Sequence, residues 1–362
     1  VRTNVLYKFM YNRRYMNVLW LRPSNRWGGE NVSSRRERIA EHLQEMGVTV
    51  DLVDASGLDA LTAMRKAISG DYDVIVGTVR VGVPIGYFLS KILHKPFIAS
   101  VSDPLESQDY LSPPLYKLVC RVEWSVLKRA DDVFFVESKS YENALERGIE
   151  GGMARNAANY EMFAEPDEEV IKEAKELLQE HGVDTDKNIA IYIGSLTQNG
   201  HFDEITEAAK TMSDWEFVFV GEDWGANISE LVDGVQNAHF LGSYEHRLMP
   251  GFLYHSSAAL CLVDTEMSLK INEYGAAGLP TLGYPGKQKK VFSEDELIYV
   301  DSNPQNISEE LQKLASDDEY AQKYSKNLRN HAKEHTWEDI AKKYYDSIDE
   351  LTSESITSES NS

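Results

Sequence analysis

The chain has 362 residues, 42% of them apolar and 27% charged, enough for two ordinary domains and too much for one small module or a disordered chain. Its net charge of −22 opposes general binding to nucleic acid or to an anionic membrane surface, which excludes histone-like, polymerase-like and polybasic-anchor functions. The two cysteines, Cys120 and Cys261, match no zinc spacing and no disulfide scaffold, so a reducing cytoplasm is expected.

Acid sustained along the chain suits a salt-filled cell interior, where a shell of carboxylates keeps a protein hydrated; a halophile is the expected source. Residues 1 to 38 reverse that balance and are strongly basic. Two accounts stand: residues 1–15 are an upstream extension with Met16 as the true start, or Arg22, Arg26 and Arg35 ring a loop that meets an anionic substrate. The Arg-rich start lacks a small-residue cleavage site after an apolar run and does not read as a secretory signal. The longest apolar stretch, 74–93, is broken by Arg80, Lys91, Pro84 and several glycines, and does not read as a membrane span.

From Met16 the pattern is strand, loop and helix, repeated. Residues 17–22 form a short apolar run, followed by a glycine-bearing loop at 23–30 and a helix whose buried face carries Val32, Ile39, Leu43 and Met46. Further strands are expected at 48–53, 73–77, 96–101 and 132–136, separated by helical periods such as Leu115, Leu118, Val119, Val122 and Val126. Residues 165–187 turn polar around an amphipathic helix that stops at Gly182, and read as a linker. The alternation then restarts, with strands at 189–193, 216–220, 238–241, 258–263, 280–283 and 298–300. A last helix from Thr336 buries Trp337, Ile340, Ala341, Tyr344, Ile348 and Leu351, and the Ser- and Glu-rich tail 352–362 is expected to be disordered.

This is an α/β chain of two doubly wound, Rossmann-like domains facing a cleft, with parallel sheets covered on both sides. The expected bounds are 16–164 for the first domain, 165–187 for the linker, 188–330 for the second domain and 331–351 for the last helix. Such sheets bind ligands beyond the carboxyl ends of their strands, and a nucleotide fits there. No G-x-G-x-x-G follows the first strand and no G-x-x-x-x-G-K-[ST] occurs, which disfavours nicotinamide and P-loop chemistry. Gly28 and Gly29 sit where a phosphate can approach backbone N–H groups, or where a turn simply needs glycine.

Residues 268–280 carry the strongest signal. Ser268 can cap a short helix that Gly278 ends and Pro280 follows, and Lys270 and Glu273, three apart, share one helical face. An ionised Glu273 can accept from both hydroxyls of a ribose, while Lys270 and the first-turn N–H groups can hold a diphosphate; the plain alternative is a surface ion pair.

Six stretches in sequence give a family resemblance: Gly28-Gly29; 154–163, similar to a P-N-G-V-D-x-x-x-F motif; Tyr192-Ile193-Gly194-Ser195-Leu196; Phe217 to Glu222; Asn237 to Gly242; and Lys270 to Pro280. Over 16–351 the chain resembles GT-B-fold glycosyltransferases of the retaining, family-four (group 1) type. The resemblance implies transfer of a hexose-type sugar from a nucleotide-diphosphate sugar to a glycan or lipid-linked acceptor, as in polysaccharide assembly or protein glycosylation, with 16–164 as the acceptor domain, 188–330 as the nucleotide-sugar domain and 331–351 as a helix crossing back to the first domain. It places Glu273 on the ribose, Gly194 and Ser195 near the diphosphate, Glu222 near the nucleoside and Tyr244 beside the base. The family's Glu-x7-Glu is matched only as Glu266-x6-Glu273, so Glu266 takes the sugar-contacting place with a shift. The usual basic pair after the second domain's first strand is replaced by Ser195 and Asn199-Gly200, which leaves Lys270 as the main cation and the expected catalytic group. Asp103, after the strand ending at Val101, corresponds to a first-domain acid or caps a helix. Retention in such enzymes proceeds by front-face attack guided by the leaving phosphate, so no dedicated side-chain base is required; no cofactor is expected, and no metal, since His201 and His246 form no metal-like spacing. Lys117, Arg121, Lys128 and Arg129 lie on a helix that either touches the cytoplasmic membrane face peripherally or is a solvated surface. A nucleotide-sugar epimerase and a silent binding subunit of the same fold are the rival functions.

Overall fold

The computed structural model describes residues 16–23, 35–78, 81–102, 113–266 and 268–359. In chain order it contains β1 (Met16–Arg22), α1 (Arg35–Glu45), β2 (Val48–Asp54), α2 (Asp59–Ser69), β3 (Val74–Thr78), α3 (Gly82–Leu93), β4 (Phe97–Val101), α4 (Pro113–Leu127), β5 (Asp132–Phe135), α5 (Ser138–Glu146) and β6 (Gly152–Met153). There follow α6 (Tyr160–Ala164), α7 (Glu168–Glu180), β7 (Asn188–Ile193), α8 (Phe202–Ala209), β8 (Trp215–Val220), α9 (Ile228–Leu231), β9 (Ala238–Gly242), α10 (Met249–Tyr254), β10 (Ala258–Cys261) and α11 (Leu269–Ala277). The chain closes with β11 (Thr281–Gly283), β12 (Ile298–Tyr299), α12 (Pro304–Ser316), α13 (Asp318–Glu334) and α14 (Trp337–Glu359).

Two compact units result, one formed by the chain up to Arg155 together with Trp337 onward, the other by Asn156–Thr336. The first holds a parallel sheet in the order β2-β1-β3-β4-β5-β6, the second a parallel sheet in the order β12-β11-β10-β7-β8-β9. β3, β4 and β8 are buried at every position, as strands covered by helices on both faces must be. In the first unit α14 packs along α1, and Tyr344 stacks on Trp20 and Phe134 at centroid distances of 5.1 and 4.4 Å while its hydroxyl meets Ser100 Oγ at 2.7 Å. The last helix thereby completes a core that begins with the first strand.

Three expected boundaries are corrected. The chain leaves the first unit at Arg155 rather than 164, and the stretch expected to be a linker carries α7, which packs on α10 inside the second unit. Its Ala174 and Leu178 are buried in the same core as Phe252 and Leu253, because an amphipathic helix with a full apolar stripe gains more by burying it than by spanning solvent. Residues 331–336 also stay in the second unit. The tail expected to be disordered continues α14 to Glu359, and Thr352 is buried with its hydroxyl donating to the Ile348 carbonyl at 2.8 Å. Once 337–351 has nucleated a helix, each further residue adds a hydrogen bond at small cost even for Ser and Thr.

In the second sheet the strand order reverses between β10 and β7, and ligands of open α/β sheets bind beyond the carboxyl ends at such a point. The connections that leave β7, β8 and β10 supply the residues there. Gly28, Gly29, Arg26 and Asp103 lie outside the described residues.

Candidate functional site

β7 ends at Ile193, and Gly194 and Gly221 follow β7 and β8 with φ of 132° and 146°, a region that disfavours any side chain. The two exits are pressed together: a Cβ on Gly221 would stand 1.9 Å from the Gly194 carbonyl oxygen. Gly221→Ala is therefore expected to destabilise the second unit by about 3 kcal/mol, combining backbone strain with overpacking. Denaturant unfolding measures this, and a loss below about 1 kcal/mol would show that the exits can separate freely.

α11 opens beyond β10. Ser268 has the extended backbone of a cap (φ −78°, ψ 124°), yet its side chain makes no capping bond and its hydroxyl is turned to the Cys261 thiol. The expected side-chain cap is thus corrected, and the first-turn N–H groups of α11 are left uncapped by it, as a helix start that receives an anion requires. Tyr274, on the buried face, ties the helix to β7: its hydroxyl accepts from the Ile193 N–H at 2.8 Å and lies 3.3 Å from the Ile193 carbonyl. α6 and α13 pack on the same helix, and Gly278 ends it in the left-handed conformation at φ 76°.

Lys270, in the first turn, is half-buried. Its Nζ lies 2.5 Å from the Tyr192 hydroxyl oxygen and 4.1 Å from the centroid of that ring, and the Tyr192 hydroxyl donates in turn to the Ser195 carbonyl at 2.9 Å. Burial pushes the Tyr192 pKa up, against the pull of the Lys270 charge, so the hydroxyl keeps its proton and its role as donor. A Cβ on Gly194 would come within 2.8 Å of Lys270 Cε, so the ammonium reaches the β7 exit only because no side chain stands there. Lys270 pairs with no carboxylate among the described residues.

Glu273, one turn on, is 8% exposed, and its Oε1 lies 2.9 Å from His246 Nε2. The surface-ion-pair alternative for Lys270 and Glu273 is therefore corrected: the carboxylate pairs with the half-buried His246, and the Lys270 ammonium meets no carboxylate among the described residues. His246, in the turn after β9 and edge-on to Phe163 at 5.6 Å, was visible in the sequence only as a histidine outside any metal spacing. Its partner is 27 residues away, and no periodicity marks such a pair.

Other expected residues are placed less centrally. Glu266 is buried in the β10–α11 connection. Ser195 and Glu222 are exposed, and the Glu222 carbonyl accepts from the Leu196 N–H at 2.9 Å, joining the two connections. Tyr244 is half-buried on Phe252, with its hydroxyl pKa raised by burial and then by Glu180. A residue missed in the sequence, Asp223, accepts backbone N–H bonds from Gly225, Ala226, Asn227 and Ile228; burial works to raise its pKa, but the four donors outweigh it and hold the carboxyl below its usual range. His201, in the left-handed conformation at φ 54° before α8, stacks on Tyr284 at 5.1 Å, and the sequence marks it only as a histidine outside any metal spacing. A cavity of about 380 Å³ lined by Gln198, Phe202, Asp203 and Asn227 includes neither Lys270 nor Glu273.

In the first unit two acceptor-side expectations are corrected. Arg22 is neutralised by Glu37 and by Asp54 at 2.7 Å, and these partners outweigh the burial that disfavours its charge. Arg35 is half-buried, donates to the carbonyls of Ala154 and Arg155 at 2.5 and 2.8 Å, and lies over the Trp337 ring at 5.7 Å. Both guanidinium groups hold the unit together. Among the described residues no three His, Cys, Asp or Glu side chains are grouped to hold a metal ion, and no helix is long and apolar enough to cross a membrane.

Two doubly wound parallel sheets with this strand order define the GT-B fold, and the chain is similar to GT-B-fold glycosyltransferases of the group 1 type. Residues 202–346, less than half of the chain, match the family model described as "Glycosyl transferase-like". Among solved structures, the sucrose-phosphate synthase of Thermosynechococcus elongatus superimposes with a TM-score of 0.73 at 14% identity, over 93% of this chain and 99% of that one. A glycosyltransferase of Rickettsia africae gives 0.71 at 14% identity over 94% and 99%, and Anabaena HepE in complex with UDP and glucose gives 0.69 at 16% over 93% and 100%. No protein with a curated description matches the chain significantly in sequence.

Proposed function

We propose that this protein is a retaining glycosyltransferase that moves a hexose from a nucleoside-diphosphate sugar to a glycan or lipid-linked acceptor in a salt-rich cytoplasm. The observation that carries this reading is the pair Lys270 and Glu273, set on one short helix at the switch point of the second sheet and not spent on each other. A buried carboxylate with one oxygen held by His246 keeps its other oxygen for the two hydroxyls of a ribose. An ammonium without a carboxylate, beside uncapped N–H groups, suits the diphosphate, whose charge grows as the sugar departs. That chemistry needs neither a cofactor nor a bound metal. HepE has been solved with UDP-glucose, which makes a uridine diphosphate sugar the first donor to try.

A calorimetric screen of uridine, guanosine and adenosine diphosphate sugars, in low and molar KCl, tests the reading. One donor is expected to bind well ahead of the others, and its sugar to appear on an added acceptor. Binding of none would end the proposal; a donor altered without any acceptor would replace it with the epimerase reading, and binding without turnover with the silent subunit.

A further inference from the structure

Trp224, in the connection that leaves β8, is 47% exposed, and its indole meets no other ring and no hydrogen-bond partner among the described residues. An indole left in water forgoes the burial that a large aromatic side chain ordinarily gains, which marks the position as a candidate contact surface. The backbone that carries it is fixed. The Trp224 N–H donates to the Leu196 carbonyl at 2.8 Å, and the Asp223 carboxylate accepts from the N–H groups of Gly225, Ala226, Asn227 and Ile228 at 2.8–3.2 Å. A loop pinned on both sides of the ring presents it without the ordering cost that a mobile loop incurs on binding.

A second observation is the cavity of about 380 Å³ beside this loop, a volume within the range of about 300–1,000 Å³ usual for small-molecule sites. Gly225 and Ala226, next to Trp224, form part of its wall, and Phe202 and Leu231 add apolar surface. Gln198, Asp203, Asn227 and Glu230 line the rest, and none of these four side chains makes a hydrogen bond or ion pair among the described residues. No cation lines the cavity, so an anionic ligand would meet two carboxylates with nothing to offset them. Two amides and two carboxylates do offer donors and acceptors to neighbouring hydroxyl groups. A sugar ring also turns an apolar face of C–H groups that suits the electron-rich face of an indole.

We propose that the β8–α9 loop and the cavity beside it form a carbohydrate subsite, in which one ring of a neutral oligosaccharide lies on Trp224 and the next places its hydroxyls on Gln198, Asp203, Asn227 and Glu230. The cavity includes neither Lys270 nor Glu273, so the subsite takes glycan rather than the nucleotide sugar. Binding there requires no transfer, and the subsite stands or falls separately from the reading of α11.

Calorimetric titration of the full chain with maltotriose, cellotriose and laminaritriose, without nucleotide, in low and molar KCl provides the test. At least one trisaccharide is expected to bind, with an affinity that changes by less than about twofold between the two salts, because a neutral ligand has no charge to screen. Trp224→Ala should weaken that binding by at least about tenfold, and Trp224→Phe by less, since a smaller stacking face remains. Asn227→Gly, which keeps the left-handed backbone (φ 56°) and removes the amide, should weaken it severalfold. Both positions are exposed, so thermal melts of the variants should match the parent. Binding of none of the three sugars, or unchanged binding in Trp224→Ala, overturns the proposal. So does trilysine binding ahead of every trisaccharide, which would mark a plain acidic surface, or an equal loss of UDP-glucose affinity in Trp224→Ala, which would put the indole in the donor site. The trisaccharide titrations decide the matter even if no nucleotide sugar binds.

Discussion

Glu273→Ala is expected to weaken donor binding by about a hundredfold while leaving the fold intact. The carboxylate is nearly buried, His246 occupies one oxygen, and the other is the acceptor proposed for the ribose hydroxyls. A hydrogen bond to a charged group contributes about 1.5–3 kcal/mol, so losing a carboxylate that serves two hydroxyls costs about 3 kcal/mol, or roughly two powers of ten. Glu273→Gln keeps the shape but turns one acceptor into a donor, and should fall between parent and alanine variant. His246→Gln should also bind more weakly, because the carboxylate loses the partner that fixes its rotamer. Calorimetric titration of the donor against the three variants gives the ranking, with thermal melts as the check on folding. Affinity unchanged in Glu273→Ala would remove the ribose from this helix.

The parallel strands were legible because they are runs of apolar, mostly β-branched or aromatic residues that both helical layers must cover, as at 215–220 and 188–193. β6, two residues at Gly152–Met153, is too short to leave a pattern. The supposed linker failed for a different reason: charge on one face of α7 dominates its composition, while burial is decided by the other face. That Lys270 and Glu273 lie on one short helix was legible from their spacing and the flanking Ser268 and Gly278, while the roles expected of them came from the family resemblance. What each touches was not legible, since Tyr192 and His246 arrive from β7 and the β9 connection through tertiary structure. Arg22 and Arg35 misled for the same cause: a basic run says nothing of Glu37, Asp54 or the carbonyls at 154 and 155, which absorb those charges after folding.

Lys270→Met should lower turnover by about two to three powers of ten and donor affinity by much less. The difference between the two effects is the informative quantity. In the proposed donor complex the diphosphate would share its charge in the ground state with the N–H groups of the first turn of α11, so one missing ammonium should weaken binding modestly. As the glycosidic bond breaks, further negative charge collects on the leaving oxygen, and a preorganised donor lost at that point costs about 3–4 kcal/mol. Lys270→Arg should not restore the rate, because the planar guanidinium cannot occupy the narrow space between the Tyr192 ring, 4.1 Å from Nζ, and Gly194, whose added Cβ would stand 2.8 Å from Cε. Tyr192→Phe removes the hydroxyl that anchors the ammonium and should give an intermediate loss, carried by kcat rather than KM. If Lys270 served only to pack against Tyr192, its methionine variant would shift the melting temperature and spare kcat; single-turnover transfer measured beside thermal melts separates those two roles.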